Sequence, residues 1–268
     1  MRVAAIQMVS GSSLDANLSE ALRLLRQAAQ AGAELAVLPE YFCFMGHRDE
    51  DKLLLAETPG LGTVQDFLSD AARDLKLWVV GGTLPMATDD PSHAANASLT
   101  YTPKGHCASR YDKIHLFRYD NGRELYDEAA VLRAGDTPTS FEMTDRAGQH
   151  WRVGQSVCYD LRFAELYRAL AADILLVPAA FTFTTGQAHW EVLLRARAIE
   201  NQAFVIASAQ GGAHENGRRT WGHSMVIDPW GDVLAMQSSG PGVVLADIDM
   251  SRLHSVRQQL PSLQHRRL

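Results

Sequence analysis

Two hydrophobic patterns alternate along the first eighty residues. Short apolar runs, typical of strands buried on both faces, alternate with stretches in which apolar residues recur every three or four positions. The predicted order is strand 3–7, helix 14–29, strand 35–38, helix 63–76 and strand 77–80. Gly32 stands where a left-handed residue would end the first helix. This alternation is typical of an α/β domain.

The remainder of the chain continues the same alternation. Further strands are predicted at 97–101, 151–157, 174–177, 204–207, 224–227 and 243–248, and further helices at 162–172 and 187–201. The strands outnumber those of one small sheet, and the pattern leaves open whether they form one sheet or two. The polar loop 87–93 is the best linker candidate, but strand-like segments resume on both sides of it. We therefore predict a single domain spanning 1–268.

Composition and charge narrow the class of protein. The 268 residues carry a net charge of −6, so no basic footprint suggests a nucleic-acid partner. No apolar run approaches the ~18 residues of a membrane span, and the first apolar run is too short for a signal peptide. Cys43, Cys107 and Cys158 are scattered and odd in number, which argues for a reducing compartment. We expect a cytoplasmic enzyme without a membrane or nucleic-acid partner.

Three chemically useful side chains stand where predicted strands end. Glu40 follows the strand 35–38, Lys113 lies in a polar segment, and Cys158 follows the strand 151–157 before a predicted helix. A positive helix end near the thiol would lower its pKa. Singly, each residue has an ordinary explanation as a cap, a surface charge or a small core residue. Together they supply a nucleophile, a base and a cation, which acyl transfer through a thioester requires.

The same three residues lie in segments that resemble the signature motifs of the nitrilase superfamily of carbon–nitrogen hydrolases. The segments are Leu38-Pro39-Glu40-Tyr41, Tyr111-Asp112-Lys113-Ile114-His115-Leu116-Phe117 and Ser156-Val157-Cys158-Tyr159-Asp160-Leu161-Arg162-Phe163. They occur in the family's order, Glu then Lys then Cys, and Glu128 corresponds to an additional glutamate of the family. The resemblance extends from Val3 to Arg267. Three ordered motifs are far more specific than one.

The later part of the chain resembles one branch of that family, the deaminated glutathione amidases. Its matching segments are 178–182, 188–202 and 222–231. The omega-amidase branch shares the catalytic motifs but resembles this half less well. Two positions depart from the family pattern: Ala164 replaces a frequent proline, and Arg118 replaces a frequent aspartate. The first bears on the rigidity of the turn after the cysteine, and the second on the choice of substrate.

The resemblance implies a fold and a mechanism. The fold is a four-layer α-β-β-α sandwich, and members usually associate as dimers or larger homo-oligomers. Cys158 is the implied nucleophile, Glu40 the general base, and Lys113 the cation beside the oxyanion. The backbone N–H of Tyr159 is the implied second oxyanion donor, and Glu128 is expected to hold Lys113 in place and protonated. The mechanism needs no metal and no cofactor.

Substrate contacts are less well defined by the sequence. The expected substrate is a small carboxylate-bearing amide, with deaminated glutathione favoured. The candidates for substrate contact beside the motifs are Tyr41, His115 and Arg118. An acidic protein must bind such a substrate through local cations, and the candidate arginines are Arg118, Arg195, Arg197, Arg218 and Arg219. The histidines show no metal-binding spacing.

Other functions remain open at this point. An omega-amidase acting on 2-oxoglutaramate-type dicarboxylate monoamides would keep the chemistry and change the substrate. A true nitrilase fits less well. A catalytically idle binding protein of the same fold is the alternative from another class, and the intact catalytic positions argue against it. A papain-like protease lacks a motif that supplies its histidine.

Overall fold

A computed structural model of the protein describes residues 1–267. Its helices are Leu14–Gln30 (α1), Thr63–Leu75 (α2), Ala164–Leu170 (α3), Phe183–Asn201 (α4) and Met250–Gln259 (α5). Its strands are Arg2–Gln7 (β1), Leu35–Val37 (β2), Trp78–Val80 (β3), Leu84–Ala87 (β4), Ala94–Tyr101 (β5), Cys107–Asp112 (β6), Arg118–Asp120 (β7), Leu125–Asp127 (β8), Leu132–Arg133 (β9), Ser140–Thr144 (β10), His150–Gln155 (β11), Ile174–Ala179 (β12), Phe204–Ala209 (β13), Ser224–Ile227 (β14), Val233–Gln237 (β15) and Gly242–Asp247 (β16).

The first sheet has the order β16-β1-β2-β3-β5-β4, with β6 and β9 also paired to β5. Strands β1, β2 and β3 run parallel. Because side chains alternate along a strand, β1 has two apolar faces. Ala4 and Ile6 share a core with helices α1 and α2, whereas Val3 and Ala5 belong to a separate core on the opposite face. The two helices therefore cover one face of this sheet only.

The second sheet has the order β10-β11-β12-β13-β14-β15. Its strands β11, β12 and β13 run parallel, and α3 and α4 connect them. Leu175 of β12 packs with Trp190 and Leu194 of α4, whereas Ile174 of β12 lies in the core shared with the first sheet. The layers are thus helices, sheet, sheet and helices, and the expected α-β-β-α sandwich is confirmed.

The two sheets pack face to face through an apolar core. It combines Val37 and Val80 of the first sheet with Ile206 and Val226 of the second, and α5 contributes the fully buried Leu253. Each such side chain contributes ~1.5–3 kcal/mol through the apolar surface removed from water. A polar link accompanies this core, since the Ser208 hydroxyl donates to the Val37 carbonyl over 2.8 Å.

The sequence prediction located most elements to within a few residues. Helix α4 begins at Phe183, earlier than predicted, because the Thr182 side chain caps it by accepting from the Thr185 amide. Helix α3 begins at Ala164, later than predicted, because a 3₁₀ turn precedes it. The polar loop 87–93 joins β4 to β5 within one sheet. None of the helices within residues 1–267 is both long and apolar enough to cross a membrane.

Candidate active site

The backbone around Glu40 is held by the turn between β3 and β4. Gly82 lies in the left-handed region with φ = +48°, and a Cβ there would overlap the Pro39 carbonyl oxygen. Tyr41 is also left-handed, with φ = +56°, and its amide donates to the Thr83 hydroxyl over 2.9 Å. At position 82, only glycine fits so close to the Pro39 carbonyl without strain. The turn therefore fixes the position of the Glu40 backbone just after the end of β2.

The Glu40 carboxylate is buried and links the two sheets. Oε1 accepts from Lys113 Nζ and from Asn96 Nδ2, each over 2.9 Å. Oε2 accepts from the backbone amide of Ala180 over 2.8 Å. Asn96 belongs to β5 in the first sheet, whereas Ala180 directly follows β12 in the second. Three donors fix the rotation of the carboxylate as well as its position.

Lys113 lies at the end of β6 and is fully buried. Its ammonium donates to Glu40 and to both oxygens of Glu128, over 3.0 and 2.8 Å. Burial lowers the pKa of Lys113, but Glu128 and Glu40 outweigh it and raise the pKa well above its ordinary value. The ammonium therefore stays protonated, and the cluster of two carboxylates and one ammonium carries a net charge of −1.

Glu128 follows the β7–β8 hairpin and completes this cluster. Besides Lys113, it accepts from the Tyr41 hydroxyl over 2.9 Å and from the Phe117 amide over 2.7 Å. Burial raises the pKa of Glu128, but Lys113 and these donors outweigh it and hold the pKa below its usual range. Glu128 is therefore ionised, and both of its oxygens accept from the Lys113 ammonium.

Cys158 occupies a tight turn after β11. Its φ is +50°, which is unusual for a residue with a side chain, and it begins a 3₁₀ turn that ends at Arg162. The buried carboxylate of Asp160 stabilises this turn by accepting from the Val157 amide over 2.8 Å. It also accepts from the Tyr111 hydroxyl over 2.7 Å and the His115 amide over 3.0 Å. Asp160 thus ties the cysteine turn to the lysine segment.

The expectation that a helix end lowers the pKa of the Cys158 thiol is wrong. Burial is the main influence, and together with the negative charge of Glu40 it raises the pKa well above its ordinary value, despite the opposing effect of Lys113. The turn at Cys158 is a short 3₁₀ turn rather than an α-helix, so it contributes little dipole. The resting sulfur is a neutral thiol, and it needs a base.

One cavity brings these groups together. Glu40, Glu128 and Cys158 line it, while Lys113 lies behind the two carboxylates. The remaining lining is mixed: it contains aromatic residues and two arginines, and also Asp49 and Asp127. Its aromatic residues are Tyr41, Phe117, Tyr126, Tyr159 and Phe181, and its arginines are Arg218 and Arg219. The cavity therefore brings a candidate nucleophile and a candidate general base together, and two arginines add positive charge to its lining.

The predicted substrate contacts divide into two groups. Tyr41 lines the cavity, although its hydroxyl donates to Glu128, and Tyr159, the expected oxyanion donor, lines it too. His115 does not line it, because Asp160 holds the imidazole over 2.7 Å and the ring stacks on Phe163. Arg118 lies on β7 with 79% of its side chain exposed, outside the cavity lining.

The five candidate arginines also separate. Arg195 donates to the Gly231 carbonyl, and the buried Arg197 donates to the Leu161 carbonyl, so both hold structure. Arg218 and Arg219 line the cavity, whereas Arg118 does not. Arg218 is half-buried, with its guanidinium 2.9 Å from an Asp49 oxygen and 5.5 Å from the Tyr126 ring centroid.

Sequence reasoning missed three contributors to the site. Ala180 acts through its backbone, which no residue pattern reveals. Asp160 was visible only as part of the cysteine motif, without a role. Asn96 was given no role in the site from the sequence, yet it is buried and its amide donates to Glu40. The predicted strand began only at 97, so the buried position of Asn96 within β5 was not visible from the sequence pattern. Within residues 1–267, no group of three or more His, Cys, Asp or Glu side chains is arranged to hold a metal ion.

The chain is similar to proteins of a known family. Residues 2–258 match the family model described as carbon-nitrogen hydrolase. The chain belongs to the carbon–nitrogen hydrolase family. Its chemistry is the hydrolysis of a carbon–nitrogen bond, and the resemblance seen in the three sequence motifs is confirmed.

Relatives within this hydrolase family cover nearly the whole chain. A deaminated glutathione amidase of Synechocystis sp. is 43% identical over 270 residues, which are 98% of this chain and 97% of that protein. A human omega-amidase is 34% identical over 270 residues, covering 99% of this chain and 95% of that protein. The NitFhit protein of C. elegans superposes with a TM-score of 0.89 at 35% identity, over 99% of this chain and 65% of that longer chain.

The charge balance at Cys158 gives a first prediction. Glu40→Gln removes a negative charge that opposes ionisation of the sulfur, so we expect the pKa of the Cys158 thiol to fall while Lys113 stabilises the thiolate. A pH titration of thiolate ultraviolet absorbance measures this midpoint. Glu40→Gln/Cys158→Ser is the matched control, because it subtracts the signal of Cys43 and Cys107. A midpoint equal to or above that of the wild-type protein would contradict the electrostatic account.

Proposed function

We propose that this protein is an amidase that hydrolyses deaminated glutathione through a thioester on Cys158. The observation that carries the proposal is the meeting of a neutral thiol, a buried carboxylate and a protonated ammonium at one cavity. A neutral nucleophile beside a positioned base is activated only when it reacts. The similarity to amidases over nearly the whole chain supports the same chemistry.

The first half-reaction forms the thioester. Glu40 accepts the proton of the Cys158 thiol as the sulfur attacks the amide carbonyl carbon, and the carbonyl π electrons move to oxygen. Lys113 and the backbone N–H of Tyr159 stabilise that oxyanion, and one such donor contributes ~3 kcal/mol. The carbonyl re-forms, the carbon–nitrogen bond breaks, and Glu40 returns its proton to the departing nitrogen.

The second half-reaction releases the acid. Water attacks the thioester carbonyl while Glu40 takes one of its protons, and the same donors stabilise the second oxyanion. The carbon–sulfur bond then breaks, and the proton on Glu40 returns to the sulfur. The charge of the cluster helps both halves: once Glu40 is protonated, one fewer anion competes with the oxyanion for Lys113.

The substrate assignment rests on charge in the cavity wall. Deaminated glutathione carries a carboxylate at each end, and an arginine guanidinium binds carboxylates well. Arg218 is suited to this because Asp49 and the Tyr126 ring hold it against the cavity, and its partial burial strengthens its attraction for an anion. Arg219 also lines the cavity but is exposed. We assign the main carboxylate contact to Arg218.

Kinetics on two amides test the substrate. We expect a higher kcat/KM for deaminated glutathione than for 2-oxoglutaramate, and a covalent acyl adduct on Cys158 detectable by mass spectrometry during turnover. Cys158→Ser is the control and should abolish both. A clear preference for 2-oxoglutaramate would assign the chain to the omega-amidases. Absence of any adduct and of any amide turnover would favour the idle binding protein.

The role of Arg218 has its own test. Arg218→Met removes a charge-assisted hydrogen bond, so we expect kcat/KM for deaminated glutathione to fall by about tenfold or more, mainly through KM. Asp49 keeps its pairing with Lys52 at 3.0 Å, so no bare charge is left behind. A small neutral amide should be little affected. Arg118→Met, outside the cavity, is the matched control, and equal losses in both variants would disprove the assignment.

We further propose that the protein forms homo-oligomers through the outer face of α4. Val192 and Ile199 are seven residues apart on that face, and they remain 69% and 48% exposed. Trp230 is half exposed, and its neighbour Gly231 lies against the Ile199 side chain. Exposed apolar side chains grouped in this way are typical of subunit contacts.

Sedimentation velocity measures the oligomeric state. We expect a dimer or larger species for the wild-type protein and a shift toward monomer for Val192→Glu/Ile199→Glu, because the charges would be buried at the contact. Glu191→Gln, beside the patch, is the control and should leave the assembly intact. A wild-type protein that sediments only as a 29.5 kDa monomer would overturn the proposal.

A further inference from the structure

Asn96 is a polar side chain in the middle of β5, a strand whose eight residues are all buried. The neighbouring Ala95 and Ala97 pack in the apolar core beside α1 and α2, so the side chain of Asn96 lies on the opposite face of the strand. A buried amide is costly unless its polar atoms are paired. The stability of Asn96 at this position therefore depends on which of its polar atoms are hydrogen-bonded.

Only half of that amide is paired. Nδ2 donates to Oε1 of Glu40 over 2.9 Å, whereas Oδ1 has no hydrogen-bond partner within residues 1–267. An unpaired buried carbonyl destabilises the fold, so an apolar side chain of similar size would suit this position better for stability. The opposite orientation of the amide would turn Oδ1 against the carboxylate. The side chain therefore keeps the orientation that serves Glu40 and leaves Oδ1 unsatisfied.

The hydrogen bond from Asn96 fills the acceptor capacity of one oxygen of Glu40. A carboxylate oxygen has two good acceptor directions, and those of Oε1 are taken by Lys113 and Asn96. Oε2 accepts only from the Ala180 amide among the hydrogen bonds of residues 1–267, so one direction stays open. Ala180 lines the cavity, whereas Asn96 and Lys113 do not. The open direction thus belongs to the oxygen on the cavity side.

We propose that Asn96 is a positioning residue that saturates Oε1 of Glu40, so that Oε2 is the atom that carries the proton between Cys158, the departing nitrogen and water. The backbone carbonyl of Asn96 also accepts from the Lys113 backbone amide over 3.0 Å, so β5 positions both the Asn96 side chain and the start of the lysine segment. The proposal rests on the proposed role of Glu40 as the general base. It adds the identity of the oxygen and the residue that selects it.

Asn96→Leu separates this role from a structural one. The leucine keeps the approximate volume, removes the donor to Oε1 and also removes the unpaired carbonyl. We expect the melting temperature to be unchanged or higher, while kcat on deaminated glutathione falls about tenfold or more with little change in KM. Any loss of the fold would appear in the melting curve, and Asn96→Ala then provides the same kinetic test.

The pH profile supplies a readout that packing alone would not move. The charged or titratable groups facing Glu40 are Lys113, Cys158, Glu128 and the Tyr41 hydroxyl. A carboxylate that loses a donor binds a proton more readily, so the acidic limb of kcat/KM should move to higher pH in Asn96→Leu. Ser98→Ala is the matched control, because its hydroxyl is also buried and unpaired on β5 but does not contact Glu40.

The outcomes are distinct. Wild-type kcat and an unmoved acidic limb in Asn96→Leu would overturn the proposal, and so would an equal change in Ser98→Ala. If Cys158→Ser kept its turnover, the proposed function itself would fail. Loss of turnover in Cys158→Ser together with normal Asn96→Leu would reject the role of Asn96 alone.

Discussion

The buried Glu40 carboxylate is the contact on which the rest of the site depends. It receives Lys113 and Asn96 from the first sheet and the Ala180 amide from the second, so one side chain joins the two layers where their strands end. A carboxylate this deeply buried is tolerable only because each oxygen is hydrogen-bonded and an ammonium neutralises it. The same contacts leave it beside Cys158, and burial together with the negative charge of Glu40 raises the pKa of that thiol despite the opposing effect of Lys113.

Much of this arrangement could be predicted from the sequence. The buried strands of the parallel regions are continuous apolar runs, so β2 and β12 were located closely, and ordered motifs identified Glu40, Lys113 and Cys158. The missed elements are the strands β4, β6, β7, β8, β9, β10 and β15 and the helix α5. The residues of β6 and β15 are mostly exposed or half-buried, which weakens the hydrophobic signal on which strand prediction depends.

What could not be predicted depends on partners distant in the chain. The pKa of Cys158 is set by burial and by a carboxylate that arrives from residue 40, and these outweigh the local helix end that the sequence suggested. Asn96 reaches the Glu40 carboxylate only because β5 pairs with its neighbouring strands in the first sheet. Local patterns report local structure, whereas electrostatics requires the assembled cavity.

The packing between the sheets has a consequence for which substitutions the enzyme tolerates. Apolar contacts such as those of Val80 and Ile206 resist separation but scarcely resist sliding, because they have no preferred direction. Alignment of the layers falls instead to a few directional links, among them Ser208 to Val37 and Ala180 to Glu40. The Cys158 sulfur is carried by the second sheet and the Glu40 carboxylate by the first. Conservative substitutions in the core between the sheets can therefore leave the melting temperature unchanged and still reduce turnover, because a small shift of one sheet misaligns these two groups.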